Sequence, residues 1–276
     1  MGVKLLIIGY GSIGRHVAER VREWKPLEKI MVHDKKRDVA GDVESLGNKF
    51  QYVSDVVIAI KSADIVLEAA SQQAVWDYLP VCIREGKTVI VMSVGALLKD
   101  NFLNQILGMI EDMKNAGKSP GHLYIPSGAI GGVDCIYAGS MSKVYEIDLV
   151  TVKNPRSFAG NNYVRSLGIN LDDISEPVVL YEGNVKDAVR YFPRNINVAA
   201  TLMLASGGCR NIRVRIIADP KIENNRHKIA VRGEFGKVTV NLENTPSPKN
   251  PRTSYLAALS ALATLRKAIE EVKIGT

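Results

Sequence analysis

The sequence shows few of the features that are typical of disulfide-rich, zinc-binding, membrane-spanning and secreted proteins. It contains three cysteines, Cys82, Cys135 and Cys209, and they show neither a Cys-x-x-Cys spacing nor a Cys/His ligand spacing. This argues against a disulfide scaffold and against a zinc site. No apolar run approaches the roughly 20 residues that a membrane span needs. The chain passes from Met1-Gly2 into an apolar run with no room for a signal peptide, so we predict a cytoplasmic protein with no membrane partner.

A concentrated basic surface is also lacking. The net charge is +7, from 36 Lys and Arg against 29 Asp and Glu, but the cations are scattered along the chain. An anionic cofactor and substrate account for this balance without a nucleic-acid partner. Hydrophobic residues make up 46% and charged residues 24%, as in ordinary globular proteins. Without internal repeats or low-complexity tracts, 276 residues suggest two modest domains.

The most specific pattern lies near the N-terminus. The apolar run Lys4–Ile8 is followed by Gly9, Gly11 and Gly14 in the spacing Gly-x-Gly-x-x-Gly, and a helical pattern then extends to Val21. In dinucleotide-binding proteins the first glycine allows a sharp turn, the second lets the backbone approach a pyrophosphate, and the third lets the helix pack on the strand. The N–H groups at the helix start would hold the phosphates.

An acidic residue stands where this motif requires one. The predicted strand Lys29–His33 ends at Asp34, about 20 residues after the last glycine, which suits a carboxylate that bonds ribose hydroxyls. Because of this carboxylate we predict NAD as the cofactor. Lys35 to Arg37 follow and offer cations for the 2′-phosphate of NADP, so we expect NADP to be tolerated. The predicted cofactor-binding residues in this region are Gly9, Gly11, Ser12, Ile13, Gly14 and Asp34.

The first half of the chain alternates predicted strands and helices, which indicates a doubly wound parallel sheet. The predicted strand Asp64–Ser71 ends in small polar residues, and in such sheets this strand end faces the cofactor. We therefore expect Glu68, Ala70 and Ser71 near the ribose or nicotinamide. After the strand His122–Ile125 comes a glycine-rich loop, Pro126–Asp134, where the pattern changes.

The second half is predicted to be a sheet with few helices. Its predicted strands are 144–152, 177–181, 212–217, 228–232 and 237–242, with helical patterns near 185–190 and 198–205 and a long helix at 254–272. The expected fold is α/β, with an N-terminal Rossmann domain, a second α+β domain on an open mixed or antiparallel sheet, and a C-terminal helix that returns to the first domain. The predicted bounds are 1–126 with 252–276 for dinucleotide binding, and 127–251 for substrate and dimerisation. An open sheet of this kind would expose an edge or face, so we expect a homodimer.

Several motifs of the second half, together with two from the first, resemble the L-aspartate dehydrogenase family. They are Pro126–Gly132, Phe192–Ala200, Ala218–Pro220, Asn225–His227, Pro246–Ser254, Val66–Ser71 and Ser93–Ala96. The resemblance implies NAD(P)-dependent oxidative deamination of L-aspartate through iminosuccinate to oxaloacetate and ammonia, with a link to NAD biosynthesis. It also implies that the family's cofactor-binding alanine and asparagine fall on Ala129 and Asn197, and its catalytic histidine on His227.

Spacing alone places His227 in a polar surface turn after Glu223-Asn224-Asn225-Arg226. Deamination, however, needs a base, and an imidazole that titrates near neutral pH suits this role. Should His227 not be the base, Lys153, Asp134 and Asp219 are the alternatives. The cations that would hold the two substrate carboxylates are left open among Lys153, Arg194 and Arg252.

Two other enzyme families and one non-enzyme class stay open on pattern alone. Aspartate-semialdehyde dehydrogenases and dihydrodipicolinate reductases share the two-domain plan, and the first needs a thiolate, for which Cys135 is the candidate. Its neighbours Val133 and Ile136 suggest a packed cysteine instead. A non-catalytic NAD-binding protein is the remaining alternative, and the polar residues Asn197 and His227 count against it.

Overall fold

The computed structural model describes residues 2–192, 197–247 and 250–275, with no side-chain description at 250–252. The chain divides into two compact units, Met1–Pro126 with Ala258–Lys273, and Ser127–Ala257 with Ile274–Thr276. Among the helices of the described residues, none combines the length and the apolar character needed to cross a bilayer.

The first unit is built on a six-stranded parallel sheet. Its strands are β1 (Val3–Ile8), β2 (Leu27–His33), β3 (Phe50–Tyr52), β4 (Ile65–Glu68), β5 (Thr88–Val91) and β6 (Leu123–Tyr124), in the order β3-β2-β1-β4-β5-β6. This is the strand order of the Rossmann fold, so the predicted fold class is confirmed. The strand β3 was not predicted, because three residues are too few to show a periodicity.

Helices cover this sheet, which explains why its strands read as continuous apolar runs. They are α1 (Ser12–Val21), α2 (Ala40–Glu44), α3 (Val56–Ser62), α4 (Gln72–Arg84) and α5 (Phe102–Asn115). Residues 5–8 of β1 are at most 2% exposed. The side chain of Asp55 accepts a hydrogen bond from the Ile58 N–H and so caps α3.

The second unit is built on a five-stranded mixed sheet. Its strands are β7 (Val144–Lys153), β8 (Val178–Asn184), β9 (Ile212–Ala218), β10 (Asn225–Gly233) and β11 (Gly236–Asn244), in the order β11-β10-β7-β9-β8. The pair β7 and β9 is parallel and the other three pairs are antiparallel. The predicted mixed sheet is therefore confirmed.

The remaining helices and strands are short, apart from the last helix. They are α6 (Val133–Gly139), α7 (Asn162–Ser166), α8 (Val185–Tyr191), α9 (Asn197–Ala205), the hairpin strands β12 (Pro246–Ser247) and β13 (Asn250–Ser254), and α10 (Tyr255–Ile269). The strands β12 and β13 pair with each other in antiparallel fashion. Proline lacks an N–H but fits an edge ladder of this kind. Residues from Ala258 onward in α10 belong to the first unit, which agrees with the predicted return of the C-terminal helix.

Candidate active site

The glycine turn after β1 has the geometry of a phosphate cradle. Gly9 has φ +98°, and a Cβ on it would lie 2.7 Å from the Ala70 Cα. A Cβ on Gly14 would collide with the carbonyl oxygen of Gly9, so the helix α1 packs directly against the turn. Gly11 differs, because a Cβ there would meet nothing within 4 Å. The open space lies at the glycine that a pyrophosphate would approach, and Ser12 and Ile13 begin α1 directly after it.

Asp34, at the end of β2, is oriented by two backbone groups. Its Oδ2 accepts a hydrogen bond from the Tyr10 N–H at 2.7 Å, and its Oδ1 accepts one from the Lys36 N–H at 2.8 Å. The first bond ties the carboxylate to the glycine turn. Each carboxylate oxygen retains acceptor capacity for a ribose hydroxyl. Lys35 and Lys36 are exposed beside it.

The end of β4 lies next to this turn, where the strand order of the sheet reverses. Glu68 is only 3% exposed, and its Oε1 accepts hydrogen bonds from the N–H groups of Ala70 and Ser71 at 2.8 and 2.9 Å. Ser93, after β5, donates to the same carboxylate through its N–H and its hydroxyl. Burial raises the pKa of Glu68. The Glu68 carboxylate thus holds the two strand ends together, and its predicted position near the ribose or nicotinamide stays a prediction.

Ser71 has a local structural role in addition to its predicted one. Its Oγ accepts a hydrogen bond from the Ala74 N–H at 3.2 Å and caps α4. Ala70 lies against the Gly9 turn at the point where β1 and β4 adjoin. In open α/β sheets this switch point is where ligands bind.

In the second unit, the glycine-rich loop lies against β11. A Cβ on Gly131 would be 3.7 Å from Leu242, and one on Gly132 would be 2.8 Å from Val240. The Asn244 side chain donates a hydrogen bond from Nδ2 to the carbonyl oxygen of Ala129 at 2.6 Å. The loop that carries Ala129 is therefore held against the strand whose Leu242 pairs with His227.

The covered face of this sheet changes from apolar to polar along its strands. On β7 the buried residues run from Ile147 and Leu149 to Thr151 and Lys153. On β10 the buried positions Val231 and Ile229 are followed, towards the strand start, by His227 and Asn225. Because β7 and β10 are antiparallel, the two polar ends meet at the same end of the sheet.

His227 is at the centre of this polar end. It pairs with Thr151 across the two strands, and 3.0 Å separates its Nδ1 from the Thr151 Oγ1. The side chain is 2% exposed, and within the described part of the chain its Nε2 has no hydrogen-bond partner. Next to it, Asn225 donates to the Ser254 hydroxyl at 3.3 Å. Buried polar atoms are nearly always hydrogen-bonded, so this unpartnered ring nitrogen is exceptional.

The electrostatics of this group differ from the sequence-based expectation. Burial, together with the positive charge of Lys153, lowers the pKa of His227 to about 3. Burial lowers the pKa of Lys153 itself to about 8. The expectation that His227 titrates between pH 6 and 8 is therefore wrong for the free protein, because charging a buried imidazole next to a cation is unfavourable.

The predicted surface turn at His227 is also wrong. Strand β10 begins at Asn225, so His227 lies within it and not before it. Arg226 and Lys228 are exposed on the opposite face, and Arg226 is 3.5 Å from Glu243. Alternation of buried and exposed residues therefore starts three residues earlier than the apolar pattern indicates. Because Asn225 and His227 are polar, the hydrophobic pattern of the sequence does not show that these two positions are buried.

The other candidates are placed as follows. Asp134 is exposed on α6, and Asp219 accepts a hydrogen bond from the Lys221 N–H at 2.8 Å. Cys135 is exposed, whereas the sequence suggested a packed residue. Arg194 lies outside the described residues, as does the side chain of Arg252. Asn197 is the first residue of α9 and is half-buried.

Some residues of this polar end were not identified from the sequence. Thr151 and Asn244 belong to none of the motifs, and Ser254 was noted only as the end of the motif Pro246–Ser254; strand register and folding of the hairpin bring all three to the residues His227 and Asn225. A search of the described residues finds no group of three or more His, Cys, Asp or Glu side chains that would hold a metal ion.

Comparisons with known proteins find aspartate dehydrogenases that align with almost the whole chain. Residues 134–268 match the family model described as "Aspartate dehydrogenase, C-terminal", and residues 9–116 match "Homoserine dehydrogenase, NAD binding domain". The L-aspartate dehydrogenase of Methanococcoides burtonii is 38% identical over 99% of this chain and 100% of its own length. That of Methanosarcina mazei is 39% identical with the same coverage. The crystal structure of aspartate dehydrogenase from Thermotoga maritima is 27% identical, covers 100% of both chains and superimposes with a TM-score of 0.76.

Proposed function

The chain belongs to the L-aspartate dehydrogenase family, and from this membership we propose how its own residues perform the reaction. The enzyme oxidises L-aspartate with NAD(P) to iminosuccinate, which water converts to oxaloacetate and ammonia. One observation carries the mechanism. His227 is a buried imidazole whose Nε2 has no partner within the described residues, and Lys153 is beside it.

The residues around the glycine turn are suited to binding a dinucleotide. Gly11 leaves open space at the glycine turn, α1 begins directly after it, and Asp34 is held towards the turn by the Tyr10 N–H. When bound, the nicotinamide supplies the acceptor for the hydride from the substrate α carbon. We assign the pyrophosphate to Gly9, Gly11, Ser12, Ile13 and Gly14, and the adenosine ribose to Asp34. Ala70, Ser71, Ala129 and Asn197 stay predicted cofactor contacts.

We assign to His227 the role of general base. The ammonium group of aspartate must lose a proton before its α carbon can release a hydride, and Nε2 is the ring atom placed to accept that proton. Water must later be deprotonated as it attacks the imine carbon, and the same nitrogen can accept that proton once it has released the first one to solvent. The low pKa in the free protein keeps the ring neutral, so the lone pair of Nε2 is available before substrate binds.

Lys153 is the candidate cation for a substrate carboxylate. Within the described residues it is the only lysine or arginine that is buried, at 7% exposure. A carboxylate of a bound dicarboxylate would form a charge-assisted hydrogen bond with this ammonium. The bound carboxylates would also raise the pKa of both His227 and Lys153, since each gains a negative neighbour. His227 then accepts a proton more readily with substrate present than without it.

Other features of the assignment stay predictions. The first unit would bind the dinucleotide and the second the substrate, as the positions of Asp34 and His227 suggest. The homodimer, the cytoplasmic location, the absence of nucleic-acid partners and the link to NAD biosynthesis rest on the sequence analysis alone. The preference for NAD over NADP rests on Asp34.

A substrate panel tests this function. Purified enzyme is assayed with NAD and with NADP against aspartate, glutamate, alanine and homoserine, and in reverse with oxaloacetate plus ammonia. We expect reduced cofactor from aspartate and its consumption in the reverse assay, with little turnover of the other amino acids. Alkylation of the exposed Cys135 should leave the activity intact, because no step uses a thiolate. Turnover of homoserine in place of aspartate would overturn the assignment.

A further inference from the structure

The ring of His227 is held at one nitrogen by one side chain. Thr151 and His227 pair directly across the antiparallel strands β7 and β10, on the covered face of the sheet. Side chains at such paired positions have their Cβ atoms about 5 Å apart, so the threonine hydroxyl reaches the near edge of the imidazole. The observed separation of 3.0 Å between Oγ1 and Nδ1 is a hydrogen bond.

This bond is compatible with two proton positions, and they differ in function. If the hydroxyl donates to Nδ1, the ring proton is on Nε2, and Nε2 cannot act as a base. If Nδ1–H donates to Oγ1, Nε2 keeps its lone pair. The first arrangement also leaves a buried N–H at Nε2 without a partner in the described residues. Buried N–H groups without a partner are rarer than unsatisfied acceptors, so the second arrangement is favoured.

We propose that Thr151 is a positioning residue that accepts a hydrogen bond from the Nδ1–H of His227 and so fixes the tautomer in which Nε2 is the free base. The proposal rests on the assignment of His227 as the general base. Thr151 does not touch the reacting atoms and acts through the ring alone.

A hydroxyl suits this position better than a carboxylate. The same Nδ1–H bond to Thr151 persists when Nε2 accepts a proton, so the ring need not move during the transfer. An ionised carboxylate at Nδ1 would favour the imidazolium and would hold the proton before substrate binds. The neutral hydroxyl orients the ring without adding charge, which agrees with the neutral His227 of the free protein.

Nitrogen NMR of the histidine side chains tests the tautomer directly, without any assay of activity. Protein labelled with ¹⁵N-histidine is examined near pH 7, and the His227→Gln variant identifies the signals of His227. We expect Nδ1 to carry the proton and Nε2 to be bare in the native enzyme. In Thr151→Val this preference should be lost or reversed. A native enzyme with the proton on Nε2 would overturn the proposal, whatever the variants do.

Kinetics of matched variants supply the second test. Thr151→Val keeps the shape of the side chain and removes the hydroxyl, and we expect kcat to fall about 10-fold, less than the loss for removal of the base itself. The KM values for aspartate and NAD should change little. Thr151→Ser restores the hydroxyl and should recover kcat to within about 3-fold, which a loss of packing alone would not allow. Thr239→Val, on an exposed position of β11, is the control and should behave as the native enzyme.

The outcomes separate the two assignments. If His227→Ala retains normal turnover, the base assignment fails, and the role of Thr151 fails with it. If His227→Ala is inactive but Thr151→Val is as active as the native enzyme, only the role of Thr151 fails. In the His227→Ala background Thr151→Val should have no further effect on kcat, and an additional loss there would show that Thr151 acts by another route.

Discussion

Lys153 and His227 lie at the same end of one buried sheet face, and the charge of Lys153 adds to burial in lowering the pKa of His227 to about 3. The pair therefore exists in the free protein as a neutral imidazole beside a cation. On the mechanism proposed above, a dicarboxylate bound here would raise the pKa of His227 and so favour proton transfer to it.

Removal of the imidazole should abolish most of the activity. His227→Ala is expected to lower kcat with aspartate by roughly 10²-fold or more and to leave the KM for NAD unchanged, because the ring acts on the substrate proton. Steady-state kinetics check this, with His122→Ala, an exposed residue, as control. The kcat/KM profile of the native enzyme should show no ionisation of His227 between pH 6 and 8, since that profile reports the free enzyme. Near-normal turnover of the variant would direct attention to Lys153 as the base.

His227 should also make the folded protein sensitive to acid. The pKa of His227 is about 3 in the folded protein, whereas a solvent-exposed histidine has a pKa of about 6.5, so below pH 6.5 the unfolded chain binds a proton that the folded chain does not. The free energy of unfolding therefore falls as the pH falls from 6.5 towards 3. When the pH falls from about 6.5 to 4.5, the free energy of unfolding should decrease by about 2 kcal/mol less in His227→Gln than in the native protein. Urea titrations at several pH values measure this. If the free energy of unfolding of His227→Gln depended on pH as steeply as that of the His122→Gln control, this result would contradict the buried, neutral state of His227.

Lys153 is expected to govern the affinity for substrate. Lys153→Met should raise the KM for aspartate about 10- to 100-fold, because a charge-assisted hydrogen bond to a carboxylate is lost, while the KM for NAD stays the same. The exposed Lys228 lies on the opposite face of the same sheet, and Lys228→Met is the matched control. In the native enzyme, kcat/KM should fall as the pH rises through about 8, where Lys153 loses its proton. An unchanged KM in Lys153→Met would leave the carboxylates to residues outside the described part of the chain, such as Arg194.

Asp34 is expected to set the preference between cofactors. Its carboxylate accepts from ribose hydroxyls and repels a 2′-phosphate, so Asp34→Ala should raise the ratio of NADP to NAD kcat/KM by about 10-fold or more. Lys35 and Lys36, exposed next to it, would then favour the phosphate. Both cofactors are assayed at saturating aspartate, with the exposed Asp38 replaced by alanine as control. A ratio that does not move would mean that Asp34 is not the ribose ligand.

Two glycines of the turn should respond differently to the same substitution. Gly14→Ala places a Cβ against the Gly9 carbonyl oxygen and should lower the free energy of unfolding by about 2 kcal/mol. Gly11→Ala meets no atom within 4 Å, so its stability should change by no more than about 0.5 kcal/mol. Gly11→Ala should nevertheless raise the KM for NAD, because the methyl group fills the space for the pyrophosphate. Thermal unfolding and cofactor titration of the two variants separate the effects. Normal NAD binding by Gly11→Ala would place the pyrophosphate elsewhere.

The first unit could be predicted from the sequence because its signals are local. The central strands β1, β4 and β5 are largely apolar runs, and the positions of Gly9, Gly11 and Gly14 relative to β1 determine the turn within a few residues of chain. Asp34 follows from the same pattern. The mixed sheet of the second unit was also predicted from alternation, with strand ends that differ by one to three residues in most cases.

The environment of His227 could not be predicted in this way, because it depends on partners far apart in the chain. Thr151 and His227 are separated by 76 residues, and only the antiparallel register of β7 and β10 brings them together. Burial of the polar start of β10 then makes a histidine with an ordinary sequence context into a neutral ring with a strongly lowered pKa. The sequence by itself therefore determined the fold, the cofactor class and the identity of the candidate base. The tertiary structure decided the protonation state of that base and its neighbours, since desolvation and charge proximity are properties of the packed sheet and not of a short stretch of chain.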